Sequence, residues 1–426
     1  MIAKTALFLL ATSLCTVVPA AAQSADPWPQ IRQQRIERLL PGAMQRAGAD
    51  AWLILVRENN NDPLAAHVGG ENAGGLAAIL FFLDGTRVRS AAISPIGEAT
   101  ALRDVGVHDT VIALERGGDL FPPVVAQLRA RNPQKIAVNS SQLAAADGLS
   151  HTLRARLEQA LGAEWAARLV SSETLVTDWL AIKLPEEVAI MRAAAKVTDE
   201  LIREAYARIE PGKTRDSDVA RYLKQRMREL HVEDAWAPEQ NPNVNSGPDR
   251  GHSHATDRVI RAGDWIQTDF GIRVHDRWVT DIQRFAYVLT PGQTAAPPDV
   301  LQKWEIARQG SRKVLAAIKP GVSGGDVDRV QRAWMRTNRS LDVMWSTGHP
   351  VGYWAHDVGP TLRGSETRAL REGQVFAYDG FFMWPLPAEG ADATKTISVE
   401  EMAVVTATGA EYLIPPQEQL ILIESR

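Results

Sequence analysis

Apolar and polar positions alternate with a period of two over residues 265–271 and again over 278–288, with a polar turn at 274–277 between them. The pattern predicts two antiparallel strands. Asp269 and Asp281 stand six positions either side of His275. A regular hairpin centred there sets the two carboxylates face to face, with Cβ atoms roughly 4.5–5.5 Å apart, where like charges repel. Asp is also a poor strand former. Two repelling acids in one hairpin are explained by a bound divalent cation, or by a solvated edge hairpin.

The same reading organises the rest of the chain. Residues 29–46 have a helical pattern that Pro41 should break. Short apolar runs at 51–56, 77–82, 111–114 and 135–138 read as strands, interleaved with helical patterns at 120–131 and 150–161. That alternation predicts an α/β domain. It contains no Gly-rich phosphate loop and no cluster of His with acids. The character changes near residue 180. Leu184-Pro185-Glu186-Glu187 opens a long helix to about residue 209, with Pro early and acids in the first turn. Pro211-Gly212 ends it, and 214–230 forms the next helix. Helix, Pro-Gly and helix recur at 299–318, Pro320-Gly321 and 326–338, again followed by strands. The repeat suggests an internal duplication.

Composition narrows the class only slightly. The 426 residues are 45% hydrophobic and 23% charged, as in an ordinary globular protein, with length for two or three domains. A net charge of −4 gives no reason to expect nucleic acid. The N-terminus adds more. Lys4, an apolar stretch at 6–18 short for a bilayer span, and Ala20-Ala21-Ala22 read as a signal peptide cut after Ala22, with a membrane-anchoring helix as the alternative. Export to the periplasm or the medium follows. Cys15 is the only cysteine, so the mature chain is expected to have neither disulfides nor thiolate ligands.

Four further clusters carry chemistry. Gly251-His252-Ser253-His254 precedes the strand of Asp269, and Gly348-His349-Pro350 lies in a loop-like run with His356-Asp357 after it. Tyr378-Asp379-Gly380 follows an apolar segment, and residues 397–405 form a strand pattern that carries Glu400 and Glu401. Singly, each has an ordinary explanation: a surface histidine, a tight turn at Asp379-Gly380, an exposed acid pair.

In order, His252, Asp269, Asp281, His349, His356, Asp379 and Glu400 resemble the pita-bread metallopeptidases, in particular the prolidase, Xaa-Pro aminopeptidase and creatinase-like branch. The phrases RVIRAGDWIQTDFG, WVTDIQRF, GHPVGYWAHD and SVEEMAVVTATG carry the likeness. It implies an α/β creatinase-like N-terminal domain at 23–180, then an α+β pita-bread catalytic domain at 181–426 with a pseudo-twofold repeat. Asp269, Asp281, His349, Asp379 and Glu400 would bind two divalent ions, with manganese favoured over cobalt, zinc or iron. His252 and His356 would contact substrate, and Asp379 would move the proton. The implied reaction is hydrolysis of Xaa-Pro bonds near a peptide's N-terminus by a hydroxide that the two metals activate. The implied partner is a peptide, with no nucleic acid, no membrane after signal cleavage, and room for a homodimer.

Three positions depart from the family pattern. The spacing from Asp269 to Asp281 is one residue wider than usual, Asp379 stands where Glu is usual, and Ser398 stands where proline-directed members carry Arg. Trp345 likewise occupies the place of an extra His in some relatives. A creatinase-like C–N hydrolase without metal and a peptide-binding pseudo-enzyme are the alternatives.

Overall fold

The computed structural model describes residues 26–251 and 254–425. The expected signal peptide and the candidate His252 lie outside the described residues. No helix among the described residues is long and apolar enough to cross a membrane.

The first helical pattern breaks where Pro41 requires, into Trp28–Arg38 and Leu40–Ala47. Six strands follow in one mixed sheet, ordered Thr110–Leu114, Arg87–Pro95, Ala77–Asp84, Ala51–Val56, Ile136–Val138 and Leu169–Ser171. The continuous apolar run Ala51–Val56 is explained by burial on both faces. Leu53 and Leu55 pack with Val124, Leu128 and Leu157 of the helices Phe121–Arg131 and His151–Leu161. Trp52, Ile54 and Val56 pack on the opposite side with Met44 and Trp179. Two strands were not expected from the sequence. Arg87–Pro95 begins with alternating basic residues that hide its apolar end, and Leu169–Ser171 is only a three-residue strand.

From Pro185 onward the layout is helix pair over sheet, twice. Helices Pro185–Tyr206 and Asp216–Glu229 cover a sheet ordered Ile421–Ile423, Ile282–Val288, Trp265–Phe270, Asn243–Ser246. Helices Pro298–Ala317 and Gly324–Thr337 cover a second, ordered Gly348–Pro350, Val375–Tyr378, Glu401–Val405, Ala410–Tyr412. This is the expected pseudo-twofold α+β arrangement. One apolar core continues from the N-terminal sheet into the second half, through Trp28, Trp179, Trp278, Val351, Tyr353 and Met402.

The central hairpin departs from the simple register. Asp269 lies opposite Gln283, and Arg273 opposite Val279. The turn therefore centres on Asp276 rather than His275, and both residues take positive φ. That shift of two along one strand keeps Asp281 on the face of Asp269 but moves it to the diagonal position, where Cβ atoms are roughly 7–8 Å apart. Gly271 breaks the first strand because its backbone passes so close to Thr280 that a Cβ would lie 2.1 Å from the Thr280 carbonyl. Two other expectations need correction. Gly348–Pro350 is a strand, and the stretch at 397–405 is two strands, Thr394–Ser398 and Glu401–Val405, with Glu400 in the break.

Candidate metal centre

The candidate acids project from strand ends or breaks between strands, whereas His349 is the middle residue of Gly348–Pro350 and His356 lies in the loop after it. Asp269 ends its strand next to Phe270, and Asp281 lies in the gap between Trp278–Val279 and Ile282–Val288. Asp379 follows Val375–Tyr378, with its N–H donating to the Thr347 carbonyl at 2.9 Å. Glu400 is held by its own carbonyl, which accepts from Gln283 N at 3.4 Å and Arg284 Nη1 at 3.3 Å. The backbone of one sheet thereby fixes an acid of the other. Gly380 explains why Asp379 has a glycine after it. A Cβ there would lie 2.2 Å from Ser311 N and 2.3 Å from the Ala307 carbonyl, so close contact with a helix demands glycine, not turn geometry.

These elements bring one ligand atom each from Asp281, His349 and Glu400 within 4.8 Å of one another. His349 Nε2 is 3.7 Å from both Asp281 Oδ2 and Glu400 Oε1. Its Nδ1 is 3.2 Å from the Pro350 carbonyl. A carbonyl only accepts, so Nδ1 carries the proton, and in the neutral ring Nε2 turns its lone pair toward the two acids. Burial, then repulsion from Glu400, Asp269 and Asp379, pushes the Asp281 carboxyl well above the usual range. Burial, Glu400 and Asp269 do the same to Asp379. Asp379 Oδ1 and Glu400 Oε2 are buried without a hydrogen-bond partner. Four crowded carboxylates and a lone-pair nitrogen facing them form an oxygen-rich donor set that suits a hard or borderline divalent cation. The residues fit such an ion.

His356 is solvent-exposed, and its ring centroid is 4.3 Å from that of His349. Five proposed ligands and one of the two proposed substrate histidines are therefore brought together. Glu400 and Glu401 are both buried, against the reading of an exposed pair. Glu401 faces the opposite way and pairs with Arg284 at 3.1 Å. Ser398 stands at the wall of a small cavity beside the acids, donating to Gln283 Oε1 at 2.6 Å, and Trp345 lines the same cavity.

Sequence reasoning missed two groups of residues here. Asn243, Gln267 and Gln283 line that cavity. Gln267 and Gln283 share strand parity with Asp269 and Asp281, so polar residues on an inward face were a usable signal. Behind the site, Glu187 accepts from Trp278 Nε1 at 3.1 Å and from the Tyr353 hydroxyl, and Arg35 pairs with it at 2.5 Å. Lys183 pairs with Asp357 at 3.0 Å. Tyr353 and Asp357 belong to the loop of His356, and Trp278 is three residues before Asp281.

Paired helices over two sheets, with buried acids and an imidazole converging between them, define a pita-bread metallohydrolase. The chain belongs to metallopeptidase family M24, whose model matches residues 189–407. A Xaa-Pro dipeptidase of Pyrococcus furiosus is 24% identical over 253 residues, which are 58% of this chain and 67% of that one. A putative dipeptidase of Bacillus subtilis is 25% identical over 338 residues, 78% of this chain and 85% of that one. Among solved structures, an X-Pro aminopeptidase from Thermotoga maritima superposes with a TM-score of 0.68 at 21% identity, over 90% of this chain and all of that one. A Xaa-Pro dipeptidase from Bacillus anthracis gives 0.67 at 20% identity, over 93% and 100%. These two likenesses are of fold, and they include the N-terminal domain that the family model does not reach.

Proposed function

We propose that this chain is a metal-dependent exopeptidase that hydrolyses the bond before proline near a peptide's N-terminus. The observation that carries the reading is the convergence of Asp281, His349 and Glu400 within 4.8 Å, with Asp269 and Asp379 close enough to perturb their neighbours. The substrate class rests on relatives named as Xaa-Pro dipeptidases and an aminopeptidase.

In this reading Asp269, Asp281, His349, Asp379 and Glu400 hold two divalent cations, and the oxygen-rich set favours manganese over cobalt, zinc or iron. Such a pair of ions, when bound, polarises a carbonyl and makes water more acidic. The chain's own contribution is placement and proton handling. Asp379 Oδ1, buried and without a partner, accepts a proton during attack and passes it to the leaving amine. His356, exposed and 4.3 Å from the His349 ring, donates to the substrate carbonyl. His252 is assigned a second substrate contact from its place in the family pattern. The partner is a peptide, with no role for nucleic acid or membrane, and the reading allows a homodimer. Residues 1–22 direct export to the periplasm or medium and are removed, which N-terminal sequencing of the exported protein checks.

The deciding assay offers purified protein a panel of Xaa-Pro dipeptides and Xaa-Pro-Yaa peptides with manganese, cobalt or zinc, and with chelator. Proline-dependent turnover that chelator abolishes is the expected result. Turnover that survives complete metal removal returns the creatinase-like alternative, and no turnover with any metal returns the pseudo-enzyme.

A further inference from the structure

Next to the acids lies a cavity of about 30 Å³, lined by Asn243, Gln267, Gln283, Trp345 and Ser398 among others, with the acid Asp249 also in its wall. It has room for about one or two water-sized polar groups. The strand register places it one step from the reaction centre. Asn243 and Gln283 lie opposite Asp269 on its two neighbouring strands. Gln267 is two residues before Asp269 in one strand and points to the same side, and Ser398 meets that face through its bond to Gln283 Oε1.

The wall holds one acid, Asp249, which accepts from Thr396 Oγ1 at 2.8 Å and faces Lys395; its other polar side chains are neutral. Gln283 Oε1 accepts from Gln267 Nε2 at 2.5 Å and from Ser398 Oγ at 2.6 Å, which turns the Gln283 NH2 group into the remaining donor. Asn243 donates its amide to the Gly251 carbonyl at 3.2 Å, while its Oδ1 is buried without a partner. A buried acceptor with no donor is costly unless a ligand supplies one. The described cations around the cavity each face an acid of their own. Lys395 Nζ is 3.6 Å from Asp249, Arg250 is 2.6 Å from Asp216, and Arg284 is 3.1 Å from Glu401.

A peptide group carries both a donor and an acceptor, so it can satisfy Asn243 Oδ1 and meet Gln283 together. An ionised carboxylate only accepts. It would face the Asn243 oxygen and Asp249 with no uncommitted cation among the described residues. A terminal ammonium finds only one acid in this wall, Asp249, and that acid already faces Lys395. The amide-lined site is left for the other side of the scissile bond.

We propose that the amide-lined cavity is a subsite for a neutral peptide group following the scissile bond, so that peptides of three or more residues, or terminal amides, are preferred to dipeptides. This rests on the exopeptidase reading above and extends it to the length of the substrate. A site built to hydrogen-bond one group discriminates strongly against an analogue that lacks it.

The test compares Ala-Pro with Ala-Pro-amide, which differ only in carboxylate against carboxamide. With the manganese-loaded wild type, binding is read as KM where turnover occurs and by calorimetry where it does not, and hydrolysis is measured in parallel. The amide is expected to bind at least tenfold tighter. Asn243→Ala, which removes the acceptor, and Gln283→Met, which keeps the length but removes the donor, should each bring the ratio toward one. Equal or tighter binding of the free acid overturns the subsite, as does a preference that survives both substitutions. A binding preference for the amide without hydrolysis of either ligand supports the subsite and overturns the exopeptidase reading. Binding of neither overturns both.

Discussion

Asp281 and Glu187 are both buried carboxylates, yet the first is pushed well above the usual range and the second is held below it. Burial acts upward on both. Around Glu187 the Arg35 guanidinium, the Lys183 ammonium and the Tyr353 hydroxyl outweigh it. Around Asp281 the neighbours are Glu400, Asp269 and Asp379, which add to it. The contrast separates two uses of a buried acid. Where the chain supplies its own cation, the acid fastens elements together: Glu187 joins the N-terminal helix of Arg35 to Trp278 and Tyr353. Where the chain supplies further acids instead, the cluster is neutralised only by protons or by a cation from outside, which is what a metal site needs.

The largest effect expected from this contrast is at Asp281. Asp281→Ala should lower kcat by on the order of 10³-fold or more, the several kcal/mol that a Lewis-acid site supplies. The metal-free variant should melt no lower than the metal-free wild type, because a repelled carboxylate has been removed. Metal analysis and thermal melting of both forms check this. Unchanged metal stoichiometry would remove Asp281 from the ligand set and the contrast with it.

Asp379 sharpens the comparison, because it is proposed both to hold metal and to move a proton. Asp379→Ala should lower kcat by roughly 10²–10⁴-fold under saturating metal. Asp379→Glu tests fit. The segment is pinned by Gly380 against the helix Pro298–Ala317, so the extra methylene cannot be absorbed by backbone movement there. We expect the Glu form to bind metal yet stay at least tenfold below wild type in kcat. Wild-type kcat in the Ala form would leave Asp379 as a turn residue only.

How much of this contrast can be read without a structure follows from the kind of signal each region leaves. The side chains that the structure gathers here had all been singled out, because acids and histidines embedded in apolar strand phrases are visible locally. Their mutual geometry was not. The register depends on two consecutive left-handed residues, His275 and Asp276, neither of them the glycine that marks such turns. Glu400 looked like part of a strand because Val399 and Met402 continue an apolar pattern across the break. The Arg35–Glu187 pair is harder still. Its partners are separated by 152 residues, and an arginine on an amphipathic helix reads as a solvent-facing charge until the second domain is packed against it. Asn243, Gln267 and Gln283 were legible in principle, as polar residues at inward strand positions, and were passed over because amides are less conspicuous than acids.

The fastening role of Glu187 predicts the next effect. Arg35→Met leaves Glu187 buried without its main cation and should cost about 3–5 kcal/mol in denaturant unfolding. Adding Glu187→Gln should restore most of that loss, because a buried pair replaced as a unit is often near neutral. If the double variant is no more stable than the single, Arg35 contributes through packing on Trp179 and Tyr353 rather than through charge.

Asp62 is the intermediate case and the smallest effect. It is buried in the N-terminal half and accepts from Asn139 Nδ2 at 3.0 and 2.9 Å and from Leu64 N at 2.9 Å. It has hydrogen bonds but no cation partner among the described residues. Burial pushes its carboxyl up from 3.8 to about 6, and those hydrogen bonds offset burial only in part. The folded protein therefore binds this proton more tightly than the unfolded chain does. Stability from this group is full below the unfolded value and falls as pH rises toward 6, by about 2–3 kcal/mol in all. Asp62→Asn removes the titration. It also brings an amide NH2 toward Asn139 Nδ2, a donor–donor contact whose cost does not depend on pH. The quantity to measure is the stability difference between variant and wild type, by urea unfolding of the metal-free proteins at pH 4 and pH 7. Titrations shared by both proteins, Asp281 and Asp379 included, cancel in that difference. The variant should gain about 2–3 kcal/mol on the wild type between the two pH values. A difference that stays constant would mean that neutral hydrogen bonds alone hold a buried carboxylate at its ordinary pKa, and a high pKa could no longer be read as a sign of a missing cation.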